Sequence, residues 1–207
     1  MNAEALMDLA PVVPVVVLHD PDAAVPLARA LVSGGLPVIE ITLRTPAGLE
    51  SILRIAREVP DAVVGAGTVV RPADAERAVS AGARFLVSPG CTPALREAMT
   101  GTSLPFLPGV ATASEAMALL EHGVTAMKFF PAEAAGGRTA LKAIAGPLPG
   151  VRFCPTGGVT LQSAADYLAL PNVGCVGGTW LTPTDAVERG DWDRIKGLAA
   201  EASALRA

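Results

Sequence analysis

Short apolar runs rich in β-formers return along this chain roughly every two dozen residues, and that recurrence limits the fold more than any other feature. The runs are VVPVVVL (12–18), VIEITL (38–43), AVVGAGTV (62–69), FLVSPG (85–90), LPFLPGV (104–110), AMKFF (126–130), RFCPTGG (152–158) and GCVGGTWL (174–181). Helical patterns lie between them, among them 23–33, 48–59, 73–81, 114–121 and 161–170. Eight strands alternating with helices predict an α/β protein of the (β/α)8 (TIM) barrel class. A doubly wound sheet would use fewer strands and one glycine-rich dinucleotide loop. An extra N-terminal helix is expected over 3–9. No low-complexity tract or Pro/Ser linker interrupts the pattern, so residues 1–207 are expected to form a single barrel domain.

About half of the side chains are apolar, enough for one sizeable core, and the low aromatic content favours tightly stacked helices and strands over an aromatic-rich sandwich. A net charge of −4 supplies no basic field for nucleic acid, and no run of Lys or Arg suggests a membrane surface. Small molecules are the expected partners. The apolar stretch 10–18 is too short to span a bilayer, and the acidic start MNAEALMDLA lacks the basic head of a signal peptide, giving the expectation of a cytoplasmic protein. Cys91, Cys154 and Cys175 have no CxxC spacing and read as small core residues, while His19 and His122 stand isolated and read as surface side chains. Neither a metal nor an organic cofactor is expected.

Only three of the sixteen basic side chains are lysines. Lys142, in ALKAIAG, and Lys196, in DRIKGLAAEA, lie in amphipathic helical settings from which an ammonium reaches water. Lys128 instead interrupts the strand-like run VTAMKFFPA, where removing a charge from water is costly unless it is paired or neutralised. Strand alternation puts Ala126, Lys128 and Phe130 on one face and turns Met127 and Phe129 toward helices. In barrels the reacting groups sit at the carboxyl ends of the strands, which would aim Lys128 into the mouth. An amine in an apolar pocket is suited to attack a ketone and form an imine, chemistry closed to Arg. The alternative reading from the residues alone is a structural ion pair with Glu40 or Glu133.

In VIEITLR the same alternation gathers Glu40, Thr42 and Arg44 on one inward face, an arrangement that costs free energy unless a ligand or partner uses it. Glu40 is a candidate general acid/base. Arg44 offers a planar fork for a carboxylate or phosphate, the alternative being a salt bridge to a nearby loop. In GAGTV, Thr68 is expected to add a hydroxyl on the inner face with Val64 and Ala66, although a strand Thr is more often only a good β residue. Two glycine pairs, in PTGGV and GGTW, end the last two runs. Phosphate-binding barrels use backbone N–H groups at those places, so Gly157, Gly158, Gly177 and Gly178, with the hydroxyls of Thr156 or Thr179, imply a phosphorylated substrate.

The ordered segments VIEITLRT, VGAGTV, VSPG, LPGV, MKFFPAE, GGRTALKAIAGP, RFCPTGGV and GGTWL resemble the bacterial 2-keto-3-deoxy-6-phosphogluconate (KDPG) aldolase family, also called 4-hydroxy-2-oxoglutarate aldolases, from about Pro11 to the C-terminal helix. The resemblance implies that Lys128 forms the imine, that Glu40 transfers protons, and that Arg44 and Thr68 hold the pyruvyl carboxylate. It implies pocket-wall roles for Pro89 and Phe130 and phosphate contacts from Gly157, Gly158, Gly178 and Thr179. Thr179 stands where the family often has Ser and keeps the hydroxyl. It also implies a homotrimer acting on a 2-oxo acid phosphate and pyruvate. One departure is the end of the first strand, where some members carry Arg and this chain reads VVVLHD.

Three rival functions make different demands. A phosphate-binding isomerase or epimerase needs paired acid/base residues on different strands, for which only Glu40 and Glu133 are available. A metal-dependent pyruvate aldolase needs clustered carboxylate or histidine ligands, absent from the pattern. A non-catalytic sugar-phosphate-binding barrel would use Lys128 only as a charge partner. Within the aldolase reading, KDPG, its C4 epimer 2-keto-3-deoxy-6-phosphogalactonate and 4-hydroxy-2-oxoglutarate remain alternative substrates.

Overall fold

The computed structural model describes residues 1–206; Ala207, the last residue of the expected domain, lies outside them. Helix α1 (Ala3–Asp8) precedes β1 (Val12–Val16). There follow α2 (Ala24–Ser33), β2 (Val38–Thr42), α3 (Gly48–Glu58), β3 (Val63–Gly67), α4 (Pro72–Ser80) and β4 (Leu86–Val87). Next come α5 (Pro93–Gly101), β5 (Phe106–Leu107), β6 (Gly109–Val110), α6 (Ala113–Leu120), β7 (Ala126–Phe129) and α7 (Gly137–Ala145). The chain ends through β8 (Arg152–Pro155), α8 (Leu161–Leu168), β9 (Val176–Gly178), α9 (Thr184–Arg189) and α10 (Trp192–Ser203). The strand pairings are parallel, as an alternation of strands and helices requires.

The result is an α/β fold with a curled parallel sheet in two arcs, ordered β5-β4-β3-β2-β1-β9 and β6-β7-β8. The fifth apolar run supplies strands to both. Phe106 and Leu107 pair with β4, and two residues later Gly109 and Val110 pair with β7. Pro108, which has no N–H to give, stands at the changeover and accepts from the Lys128 N–H at 2.9 Å. At the other seam, single bridges join Phe153 to Val173 and Thr156 to Gly177.

Alternation along the strands sorts the apolar side chains. Val12, Val16, Ile39, Ile41, Val64, Met127, Phe129 and Phe153 pack outward with helix residues such as Leu27, Leu31, Ile52 and Ile55. Val13, Val38, Phe85, Val87, Leu107, Ala126, Cys154 and Cys175 form a separate inner cluster. Leu6 and Met7 of α1 complete that cluster, each burial stabilising by about 1.5–3 kcal/mol. The helix is tied down by Thr125 Oγ1 donating to Glu4 Oε1 (2.8 Å) and by Arg152 donating to Asp8 (2.9 Å). Helix ends follow local chemistry. At α6 the Thr112 hydroxyl accepts from Glu115 N–H, while the Glu115 carboxylate accepts from the N–H groups of Ala111 and Thr112.

One alternation reading is corrected. Val64 and Ala66 face the helices, so the inner face of β3 is Val63, Gly65 and Gly67, and Thr68 does not share a strand face with Val64 and Ala66. Helices α5 and α9 also have no counterpart among the helical segments read from the sequence.

Candidate active site

Lys128, in the middle of β7, and Glu40, in the middle of β2, meet inside the sheet. Lys128 Nζ donates to Glu40 Oε1 at 3.3 Å, and each residue is 3% exposed. Of the two carboxylates the sequence offered Lys128, the structure selects Glu40. The space for the Glu40 carboxylate comes from Gly67 on the adjacent strand, where a Cβ would lie 2.1 Å from Glu40 Oε1. The sequence reads the glycines of GAGTV as space beside the backbone, and the register pairing Thr42 with Gly67 sets that space beside the polar strand.

The third polar residue of that face has a structural task. Thr42 is fully buried and its hydroxyl donates to the Val16 carbonyl at 2.9 Å. Arg44 lies in the exposed turn beyond β2, and its Nε donates to Thr68 Oγ1 at 3.2 Å. Among the described residues no carboxylate lies within ion-pair distance of Arg44. Thr68 reaches it by leaving strand geometry altogether, with φ at +58°. A β-branched residue in the left-handed region costs about 1–3 kcal/mol, and such strain concentrates at functional sites.

Around this centre, the Phe130 ring stands with its centroid 5.4 Å from Lys128 Nζ, a cation–π distance. Phe130 also closes on the loop after β8, where a Cβ on Gly157 would touch its ring at 3.3 Å. Pro89, half-buried after β4, backs onto Gly109, whose missing Cβ would fall 2.2 Å from the Pro89 carbonyl carbon. Gly157 and Gly158 hold φ of +99° and +85°, conformations open to glycine. Thr156 is buried, its hydroxyl 3.4 Å from the Cys154 carbonyl, so it faces the interior. Gly178 is buried against the Trp180 ring, and Thr179 is exposed.

Two buried thiols lie beside the pair. Cys154 is the register partner of Lys128. Hydrogen bonding to Cys175 lowers the Cys154 thiol from its ordinary range; burial and the Glu40 charge oppose this, and the Lys128 charge and Thr156 assist it. The sequence reading of the cysteines as core residues agrees with the burial of Cys154 and Cys175 but is corrected for Cys91, which lies just before α5 and is only half-buried, and His19 and His122 are exposed.

Two cavities flank the sheet. One of about 480 Å³ lies at the amino ends of the strands beside Met1, Glu4, Phe106 and Thr125, away from Lys128. The other, of about 580 Å³, opens at the carboxyl ends between Val15, Val17, His19, Thr179 and Glu188. Val15, which lines this second cavity, is the register partner of Glu40 on the neighbouring strand. Among the described residues no group of His, Cys, Asp and Glu is arranged to hold a metal ion, and no helix is long and apolar enough to cross a membrane.

The KDPG and KHG aldolase family model matches residues 3–198. The chain belongs to this family. A 2-dehydro-3-deoxy-phosphogluconate aldolase of Dickeya dadantii is 53% identical over 203 residues, covering 98% of this chain and 95% of the relative. The crystal structure of a KDPG aldolase from Legionella pneumophila, with pyruvate captured as a covalent carbinolamine intermediate, superposes with a TM-score of 0.96. It is 44% identical and covers 98% of both chains. The Zymomonas mobilis ZM4 KDPG aldolase, solved with 3-phosphoglycerate, gives a TM-score of 0.93 at 48% identity, covering 99% of this chain and 96% of that one.

Proposed function

We propose that this chain is a class I aldolase that reversibly cleaves KDPG to pyruvate and glyceraldehyde 3-phosphate, and 4-hydroxy-2-oxoglutarate to pyruvate and glyoxylate. The observation that carries the reading is the buried contact of Lys128 Nζ with Glu40 Oε1 at 3.3 Å. A proton passed along it leaves a neutral amine next to a carboxylic acid.

Lys128 attacks the C2 ketone, giving a carbinolamine whose hydroxyl leaves as water with the proton that Glu40 had taken, so that a protonated imine forms beside a carboxylate. The carbinolamine seen with pyruvate in the Legionella relative supports this step. The iminium nitrogen receives the electron pair as the C3–C4 bond breaks, while Glu40, directly or through a water, takes the C4 hydroxyl proton and frees the aldehyde. The proton then returns to C3 of the enamine, and water hydrolyses the pyruvyl imine to release pyruvate and Lys128.

Arg44 and Thr68 hold the substrate carboxylate, with a planar donor fork and a hydroxyl already joined at 3.2 Å. Phe130 and Pro89 wall the pocket. Gly157, Gly158, Gly178, Thr156 and Thr179 receive the distal phosphate, a reading supported by the left-handed glycines and by the three-carbon phosphate held by the Zymomonas relative.

The two sheet arcs, linked through Pro108 and the Thr156–Gly177 bridge, are read as one closed (β/α)8 barrel with α1 as the extra N-terminal helix, residues 1–207 making a single domain. A cytoplasmic homotrimer is proposed from the family resemblance, and light scattering on the purified protein tests the trimer.

Incubation with pyruvate followed by borohydride reduction should leave a stable pyruvyl adduct on Lys128 in peptide mass spectra, with activity unaffected by chelators. An unmodified Lys128 would remove the mechanism.

A further inference from the structure

We propose that Tyr167 and Glu133 are a positioning pair that sets the Gly157–Gly158 loop for the distal phosphate of the substrate, an inference that rests on reading that loop as the phosphate site. Tyr167 is the only tyrosine of the chain and is fully buried on α8. Its hydroxyl donates to Glu133 Oε1 at 2.6 Å. Burial first, then the hydrogen bond to Glu133 and its charge, push the Tyr167 phenol well above its usual range, with Arg138 opposing. It therefore stays a donor at ordinary pH.

Glu133 lies in the turn after β7, pressed against the loop that closes β8. Its N–H donates to the Gly157 carbonyl at 3.1 Å, and the Ala132 N–H donates to Thr156 at 2.8 Å. A Cβ on Gly158 would fall 2.6 Å from Glu133 Cγ, so the stem of the side chain lies flat on the Gly158 backbone. On the far side a Cβ on Gly137 would meet Tyr167 Oη at 3.1 Å and Glu133 Oε2 at 3.3 Å. Gly137, Gly158 and Tyr167 thus flank the carboxylate on its inner side, with Oε1 committed to the phenol and the rest of the residue open to solvent. Released from Tyr167, a mobile negative charge beside the phosphate loop would repel a phosphate dianion, and the loop would lose its backing. Imine chemistry at Lys128 needs neither group.

The test is steady-state kinetics of wild type, Tyr167→Phe, Glu133→Ala and Glu133→Gln on KDPG and on unphosphorylated 4-hydroxy-2-oxoglutarate. Tyr167→Phe and Glu133→Ala should raise KM for KDPG about fivefold to tenfold with kcat within about twofold, leaving KM for the unphosphorylated substrate unchanged. Glu133→Gln, which keeps an acceptor for the phenol, should stay near wild type. Glu133 is exposed, so its variants carry the test should Tyr167→Phe not fold. Equal losses on both substrates, or a Glu133→Gln defect as large as that of Glu133→Ala, would overturn the pair. A wild type that gains nothing from the phosphate would remove the loop assignment and the pair together. A phosphate preference that Tyr167→Phe and Glu133→Ala retain would remove the pair alone.

Discussion

Lys128 Nζ and Glu40 Oε1 lie 3.3 Å apart although 88 residues separate them, and both side chains are almost wholly withdrawn from water. Neither charge is tolerable there alone. Removing one partner of a buried pair costs about 3–5 kcal/mol, because the other is left unpaired. Lys128→Ala should therefore lose stability on that scale in urea melts as well as losing cleavage and the borohydride adduct. The double variant Lys128→Met with Glu40→Gln should recover most of the lost stability and none of the activity. If the double variant is no more stable than the single one, the contact does not have the energetic meaning given to it.

The position of the Glu40 carboxylate depends on what Gly67 lacks. Gly67→Ala places a Cβ 2.1 Å from Glu40 Oε1, a clash that only movement of the carboxylate relieves. Small misplacements of a catalytic group cost large factors in rate, so cleavage of KDPG should fall about a hundredfold, while the pyruvyl adduct on Lys128, which forms more slowly without a well-placed Glu40, is still trapped after long incubation. Rapid-quench turnover beside borohydride trapping separates the two steps. Equal loss of both would place the effect on the nucleophile instead.

Thr68 exchanges stability for function. Its left-handed backbone suits Asn better than Thr, so Thr68→Asn should raise stability by about 1 kcal/mol. The same change removes the compact hydroxyl that accepts from Arg44, and KM for pyruvate in the condensation direction should rise about tenfold. A thermal melt and a condensation assay on one preparation decide it. A variant that is both less stable and fully active would contradict the strain argument.

Much of this site was legible because strand period is strict. Lys128 among apolar neighbours, and Glu40 on the opposite face from Ile39 and Ile41, follow from alternation alone, and the structure puts both inside. Thr68 shows where that logic stops. Counting by two from Val64 and Ala66 turns it inward for the wrong reason, since those residues face helices and the hydroxyl arrives through a backbone reversal at the strand end. Thr42 fails differently, for a polar residue on an inward face was satisfied by the Val16 carbonyl rather than by a ligand. Gly67 was legible only as open space beside a strand, since the carboxylate that fills it comes from β2, and Tyr167 was silent because its partner lies on another element, which local pattern does not encode.

The hydrogen bond from Tyr167 to Glu133 should also be visible in the pH dependence of stability. The folded-state phenol is raised above its unfolded value, first by burial and then by Glu133. A group raised on folding contributes fully below its unfolded pKa, about 10 for tyrosine, and its contribution is lost as pH rises above that value toward the folded pKa. Urea melts of wild type and Tyr167→Phe should therefore differ by a constant amount between about pH 7 and pH 9, and the difference should shrink steadily above about pH 10. Comparing the two proteins cancels the titration of the lysines and other groups common to both. A difference that stays constant to about pH 11 would mean that the folded phenol is not raised, and that the carboxylate beside Gly158 is held by something else.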